Sequence, residues 1–541
     1  MKKRLNQVAA ILGVILLGLM GRMSYIQLLG HGDLAHAAAA QQLIALEGAN
    51  SRGLIYDRNQ TPLVGNNREY IFIIRQKQFD GEAMNALSAM EAEEIKNGDN
   101  GYRVFAVKKY DKELGQRLIR NSSAYVIEAG RRYSHSQKAV HILGYVNPQD
   151  SSGAAGIELM CDEELSLLNK RIFTTADVLG NIVPGRGLVV STAMEEDSYV
   201  KKGIVTTLDA GLQGAVETIL RSTDKEGAIV VLKTDTGEIV ASASTPDFDP
   251  SRVGQYMDSS TSELVNKVTQ GEYPPGSIFK IAVAAAALQQ GITPEREFFC
   301  QGYMSINGRN IKCKTGGQTG HGAITMKEAF AQSCNSAFIQ LGQELGADKI
   351  LNMAQKLGLG KKTLCEYPGE KDGNLMTVRQ SSGAAIANLS IGQGETLVTP
   401  LQAAHMTNII AAGGKDTGVH ILQEEIKKSG GKESQVLQPA IAKRLMEMMD
   451  QTMITGSGKG LLDIAGHVPM AGKTGSAESY MGNKEVVHGW MTGFVPAENP
   501  EYTITVFIQE GESGSQSAGP LFAQTARYLS ESGSFEQPIH F

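Results

Sequence analysis

A chain of 541 residues has room for about two to four domains and a large core. With 42% hydrophobic and 20% charged residues it has the composition of a globular protein rather than a disordered one. A formal charge of −6 and a pI near 6.0 leave no basic footprint, which excludes nucleic acid as a partner.

The chain opens on Met1-Lys2-Lys3-Arg4, followed by a largely apolar run from Leu5 to Leu29 that Arg22, Ser24 and Gln27 interrupt. One reading is a cleaved signal peptide, with Val8 to Met20 as its apolar region and the small residues around Ala35 to Ala40 as the processing site. The other is an uncleaved anchor whose basic cluster stays cytoplasmic. The small residues lie far beyond Met20 and the apolar character resumes at Met23, which favours the anchor. The expectation is a cytoplasmic tail at 1–4, a transmembrane helix at 5–29, and the bulk of the chain outside the cytoplasm.

Residues 30–50 are alanine-rich and predicted helical, continuous with that run. Residues 51–63 form a strand-turn-strand pattern in which Asp57, Asn59 and Pro62 mark the turn. Residues 80–125 mix helical patches with polar connections. Ser134 to Tyr145 is predicted a strand, Gly153 to Leu168 a helix, and Thr175 to Ala193 a strand pair. No carboxylate pair or phosphate loop stands out, so 30–202 is expected to be a non-catalytic pedestal.

The pattern changes at Gly203. Asp209 caps a predicted helix from Ala210 to Ser222, and residues 227–232 and 237–243 read as an apolar hairpin. A helix from about Ser277 to Gly291 is buried on all faces, because apolar residues occupy nearly every position. Further helices are predicted at 325–342, 347–357, 399–412 and 438–455, strands near 467–476, 486–496 and 502–509, and a last helix at 518–531. Strands at both ends with helices between predict one antiparallel sheet closed by the two ends of an α+β domain spanning 203–541.

The cysteines are Cys161, Cys300, Cys313, Cys334 and Cys365, an odd number that excludes a fully paired framework within one chain. Cys300 and Cys313 bracket a hairpin-like segment with Asn307-Gly308 as its turn. A disulfide and two half-buried thiols both remain open there. Cys334 reads as a small buried filler. No metal-ligand spacing appears among cysteine and histidine, so neither metal nor cofactor is expected.

Ser277 and Lys280 sit one helical turn apart and share a face. A hydroxyl beside an amine at a helix start, where unpaired N–H groups favour a developing oxyanion, is a candidate activated nucleophile. The spacing alone is weak. It recurs at Ser198 to Lys201, Ser222 to Lys225 and Ser429 to Lys432, all in polar surroundings. An amine is a base only when neutral, and half-neutral Lys280 at pH 7 requires a shift of about 3.4 units, roughly 4.6 kcal/mol. Burial and a second cation both push that way. The chain supplies a second lysine in Lys473-Thr474-Gly475-Ser476 and polar groups in Ser333-Cys334-Asn335. Ser305-Ile306-Asn307 and Lys314-Thr315-Gly316 mimic these triplets without their order or separation.

Ser-x-x-Lys, Ser-x-Asn and Lys-Thr-Gly in that order form the penicillin-recognising signature. The segments Arg52 to Asn59, Thr206 to Gln213, Pro246 to Pro250, Tyr273 to Lys280, Gly392 to Glu395 and His488 to Trp490 extend the likeness. With the anchor, the chain resembles a class B penicillin-binding protein over nearly its whole length. The resemblance implies a penicillin-recognising transpeptidase fold and a peptidoglycan D,D-transpeptidase. Ser277 would attack, Lys280 take its proton, Ser333 relay a proton to the leaving amine, and Asn335 hold Lys280 and the substrate amide. Lys473 would supply positive potential. Thr474 and Ser476, with Gly475 between them, would bind the terminal carboxylate. Implied partners are stem peptides, β-lactams that trap Ser277, and a membrane glycosyltransferase. A D,D-carboxypeptidase or an idle scaffold of the same fold are the alternatives. The region 30–200 is too short for a glycosyltransferase domain of its own.

Overall fold

The computed structural model describes residues 2–28, 43–45, 52–175, 188–192 and 203–535, apart from interruptions at 66, 98–101, 108, 123, 135, 148–150, 168–169, 258–260, 314–316, 318, 365, 378–382, 430–432 and 483. The chain divides into two compact units. One comprises Met1–Gly53, Gly65–Arg132 and Leu167–Val200, the other Leu54–Val64, Tyr133–Ser166 and Lys201–Phe541.

In the first unit, Lys2–Leu28 forms helix α1. Ile11, Leu12, Val14, Ile15, Leu16, Leu17, Leu19 and Met20 are all exposed along it. Among the described residues no helix is long and apolar enough to cross a membrane, against the expectation of a spanning helix over 5–29. Gly13, Gly18 and Gly21 with Arg22, Ser24 and Gln27 dilute the apolar run. Residues 43–45, expected helical, pair instead as a short strand with Lys170–Thr175; the rest of the predicted 30–50 helix lies outside the described residues. A four-stranded antiparallel sheet follows, built from β1 (Asn67–Arg75), β2 (Ala92–Asn97), β3 (Tyr102–Val107) and β4 (Tyr125–Arg131) in the order β2-β3-β1-β4. Helices α2 (Gly81–Ala89) and α3 (Lys112–Asn121) begin at Asp80 and Asp111, whose carboxylates accept from the first-turn N–H groups. Alternation along β1 sends Phe72 and Ile74 into one core with Leu87, Met90, Phe105 and Leu118.

The second unit holds more than the expected 203–541. Leu54–Tyr56 pairs in parallel with Gly203–Val205, and Ile55, Ile142 and Ile157 join the main core. Ser134 to Tyr145, expected as a strand, contains the short helix Val140–Leu143 instead. Ala139 and Gly144, both at positive φ, bend the chain on either side of it.

In chain order, this unit carries α4 (Ala210–Arg221), β5 (Gly227–Lys233), β6 (Ile239–Thr245) and α5 (Lys280–Gln289). Next come β7 (Glu297–Cys300), β8 (Tyr303–Ile306), β9 (Arg309–Lys312), β10 (Gly322–Thr325), α6 (Met326–Ala331) and α7 (Asn335–Leu345). Then follow α8 (Pro400–Ala411), α9 (Pro439–Ile454), β11 (Ala471–Met481), β12 (Lys484–Val495), β13 (Tyr502–Ile508) and α10 (Gly519–Glu531). The five-stranded sheet runs β6-β5-β13-β12-β11, every pair antiparallel, so the expected closure by both ends of the domain is observed.

Period-two alternation splits the sheet's side chains between two cores. Ala228, Val230, Leu232, Trp490 and Phe507 face the core that contains α5 and α8. Ile229, Val231, Met491, Ile504 and Val506 face α4 and α10, which contribute Leu212, Val216, Leu220, Leu521 and Phe522. Alanine dominates α5 because its side is packed all round; every residue from Lys280 to Leu288 is buried. The helix expected over 325–342 is broken into α6 and α7, since Ser333 adopts φ +56°, a left-handed conformation no helix continues through.

Candidate active site

The loop Tyr273-Pro274-Pro275-Gly276 is held from several directions. Gly276 N donates to Gly392 O at 2.8 Å, and Trp490 Nε1 donates to Pro274 O at 3.0 Å. Gly276 sits at φ +53°, and a Cβ there would come within 2.6 Å of Ser476 O, so only glycine lets the loop close on β11. A single tight 3₁₀ turn, Gly276–Phe279, carries the half-buried Ser277; α5 proper begins three residues later than the sequence suggests, at the fully buried Lys280.

Lys280 Nζ donates to Ser333 O and Asn335 Oδ1 at 2.8 Å each and to Ser333 Oγ at 3.3 Å. Lys473 Nζ reaches the same Ser333 Oγ at 3.1 Å and its own neighbour's carbonyl, Thr474 O, at 2.9 Å. Each amine also lies over an aromatic ring, Lys280 over Phe338 and Lys473 over Phe330. Burial holds Lys280 down to about 8. Burial also pulls Lys473 well below the usual lysine range, and the nearby charge of Lys280 adds to it. No carboxylate pairs with either amine in these contacts, so the site resists holding two ammonium charges at once.

On β11, Thr474 Oγ1 shares a short hydrogen bond with Ser457 Oγ, while Ser476 Oγ accepts from Gly514 N at 3.1 Å. With its amide turned to suit, Gln393 meets the Glu478 backbone N and O at 3.2 Å, which sets the Gly392 to Glu395 loop against the same strand. Lys280, Ser333, Asn335 and Lys473 are thus joined directly. Ser277, Thr474, Gly475 and Ser476 enter through the loop and strand that flank them.

The mimics do not join them. Ser222 and Lys225 are exposed at a helix end, and Ser305 and Asn307 are exposed on the β8–β9 hairpin. Ser198 to Lys201 and Lys314 to Gly316 lie outside the described residues. Ser457 and Gly514 were missed by sequence reasoning, because each reaches the site across a long chain separation with no local pattern, whereas Gln393 lies in the Gly392 to Glu395 segment that the likeness already singled out. Also missed is a convergence of Cys300, Cys313, His321 and Cys334, whose donor atoms all lie within 4.8 Å of one another. Cys300 and Cys313 are thiols rather than the disulfide left open by the sequence.

The penicillin binding protein transpeptidase domain profile matches residues 227–527, more than half of the chain. The chain is 26% identical to the peptidoglycan D,D-transpeptidase MrdA of Acinetobacter baumannii, over 94% of this chain and 85% of that protein. It is 28% identical to stage V sporulation protein D of Bacillus subtilis, over 96% of this chain and 84% of that protein. In fold it is similar to the penicillin-binding protein PBP2 of Helicobacter pylori, solved in complex with MreC, with a TM-score of 0.68 and 22% identity over 91% of this chain and 99% of that one. The loop, the lysine pair and the strand lie within the matched segment, and the likeness runs on through the rest of the chain: it belongs to the class B penicillin-binding protein transpeptidase family.

Proposed function

We propose that the protein is a peptidoglycan D,D-transpeptidase with Ser277 as nucleophile. The observation that carries this reading is the buried cluster in which Ser333 Oγ receives hydrogen bonds from both Lys280 and Lys473, directly beside the turn bearing Ser277. A serine hydroxyl has two acceptor positions and one proton. With both acceptor positions taken by amines, the Ser333 proton is available for a bound substrate.

Three acceptors around Lys280 match the three N–H groups of an ammonium. Loss of one proton frees a lone pair to take the Ser277 proton as Oγ bonds to the penultimate D-alanine carbonyl carbon. The C–N bond to the terminal D-alanine then breaks, and that nitrogen leaves with a proton delivered through the Ser333 hydroxyl. An amine from a second stem peptide attacks the ester and releases Ser277. The substrate's terminal carboxylate, bound by Thr474 and Ser476, supplies the countercharge that the lysine pair lacks and favours an ammonium on Lys473. Backbone N–H groups of Ser277 and Ser476 would receive the oxyanion, each donor worth roughly 3 to 4 kcal/mol in comparable sites.

Helix α1 is the proposed membrane attachment. Its apolar side chains are exposed all along, and the basic residues before them suit an anionic cytoplasmic leaflet. By analogy with the Helicobacter complex, a scaffold of the MreC kind is proposed as a partner; a membrane glycosyltransferase is proposed on the class B likeness alone.

The test is labelling of the full chain with a fluorescent penicillin, followed by mass-spectrometric mapping. Labelling should fall on Ser277 and vanish in Ser277→Ala; an adduct on any other side chain sinks the reading. Incubation with a stem pentapeptide donor and an amine acceptor should give cross-linked product, whereas release of D-alanine alone marks a carboxypeptidase.

A further inference from the structure

β11 is the last strand of the five-stranded sheet, so among the described residues no strand covers its outer side. Its ladder with β12 runs on to Met481 and Lys484, whereas β12 leaves β13 at Gly489. The two strands therefore project past the sheet as a ribbon, and its outer edge continues directly from Ser476. Such an edge is a template for any extended chain that reaches it.

In an antiparallel ladder, alternate residues turn both N–H and C=O away from the partner strand. On β11 this set includes Thr474, Ser476 and Glu478. Thr474 O accepts from Lys473 Nζ at 2.9 Å. A Cβ on Gly276 would come within 2.6 Å of Ser476 O, so that carbonyl faces the loop carrying Ser277. Two residues on, Glu478 N and O both meet the Gln393 side chain, at 3.2 Å each. A carboxamide offers an acceptor oxygen and an N–H donor, the same pair as a peptide unit. Gln393 thus does at Glu478 what a neighbouring strand would do.

The loop behind Gln393 keeps its amide in place. Gln393 N donates to Asn388 O at 2.9 Å, and Gly392 O accepts from Gly276 N at 2.8 Å. Gly392 lies at φ +69°, and a Cβ on it would come within 2.1 Å of Gly276 O, so the loop and the Ser277 turn are in direct backbone contact. The cap on β11 and the nucleophile's turn are therefore fixed to each other.

We propose that Gln393 is a specificity-determining residue that ends strand addition on β11 after Ser476. The inference rests on the transpeptidase reading, in which the donor's scissile carbonyl sits at the N–H groups of Ser277 and Ser476. The penultimate D-alanine then pairs with Ser476. The residue two places before it would pair with Glu478, but the Gln393 amide occupies both backbone groups there. The site consequently holds the donor by its end and gains nothing from an α-linked backbone further upstream, which keeps ordinary polypeptide strands off this edge.

The test uses the full chain in detergent, as wild type and as Gln393→Ala, with two donors. One is acetyl-L-Ala-L-Ala-D-Ala-D-Ala, whose first L-alanine is the residue opposite Glu478; the other is the same peptide N-methylated at that alanine. Release of D-alanine gives kcat/KM for each. The wild type should use both equally, and Gln393→Ala should favour the unmethylated donor by roughly three- to tenfold, the effect of one backbone hydrogen bond. A general loss of activity in the variant cancels in this ratio, so loosening of the loop alone does not move it. Hydrogen exchange, mapped by mass spectrometry on overlapping peptides of 474–481, needs no turnover. The Glu478 amide should exchange at least about tenfold faster in Gln393→Ala and slow again when the unmethylated peptide is added. The proposal is overturned by a preference of that size in the wild type, by no preference in the variant, or by exchange that ignores the substitution. Penicillin labelling is scored separately: a chain that labels at Ser277 but shows no such preference loses only the cap, whereas one that never labels loses the catalytic reading and this specificity with it.

Discussion

Lys280 is buried in an alanine-rich helix, yet its amine has three oxygen acceptors, and the balance of these two environments sets its protonation. Burial holds it at about 8, below the ordinary lysine value of 10.5. Only the neutral amine is a base, so acylation of Ser277 by a penicillin should rise with pH, reach half its maximum near 8, and level off above, as stopped-flow labelling would read. The same shift affects stability. Between about 8 and 10.5 the unfolded chain holds more protons at this position, so stability rises with pH through that window, while below it the burial penalty is constant. Lys280→Met keeps the length and removes the base. Acylation should fall by roughly 10²- to 10⁴-fold, and the pH rise should disappear. A variant that keeps the same pH profile at reduced rate would show that some other group titrates.

Among the elements, the turn and α5 depend on close packing behind them. Trp490→Phe removes the Nε1 donor from Pro274 O and leaves a buried carbonyl unpaired, at a cost of about 1 to 3 kcal/mol. Ala285→Leu forces a larger side chain into a helix buried on every face, at a cost of about 1 to 3 kcal/mol. Both should lower the midpoint of chemical denaturation; an unchanged midpoint would mean that the surroundings give way freely. The elements here were readable where a local pattern exists. The apolar hairpin of 227–232 and 237–243, the Asp209 cap and the Asn307-Gly308 turn all correspond to observed features. Ser333 was harder. Its neighbours favour continuing the helix, and the break is imposed by contacts with Lys280 and Lys473, 53 and 140 positions away. The Ser457–Thr474 bond and the thiol cluster escaped for the same reason, since tertiary contacts bring them together.

For the molecule as a whole, the second unit's own composition is informative. Ile55, Ile142 and Ile157 are fully buried in the core that contains α5. A fragment cut at residue 203 lacks all three, and also lacks the strand that pairs with Gly203–Val205. It should unfold at lower temperature than a fragment starting at residue 52, or fail to stay soluble, and thermal unfolding of the two would compare them. Equal melting would show that 54–64 and 133–166 are dispensable.

The pairing of β5 with β13 joins Gly227 to Ile508, and nothing nearer in the chain can take that place in the sheet. A ribosome therefore finishes almost the entire polypeptide before β5 gains its second neighbour. Until then an apolar edge stays open to any other extended segment. Contacts this remote slow folding and lengthen that exposure. Premature termination ahead of residue 502 would accordingly yield an aggregation-prone remnant rather than a weakened enzyme.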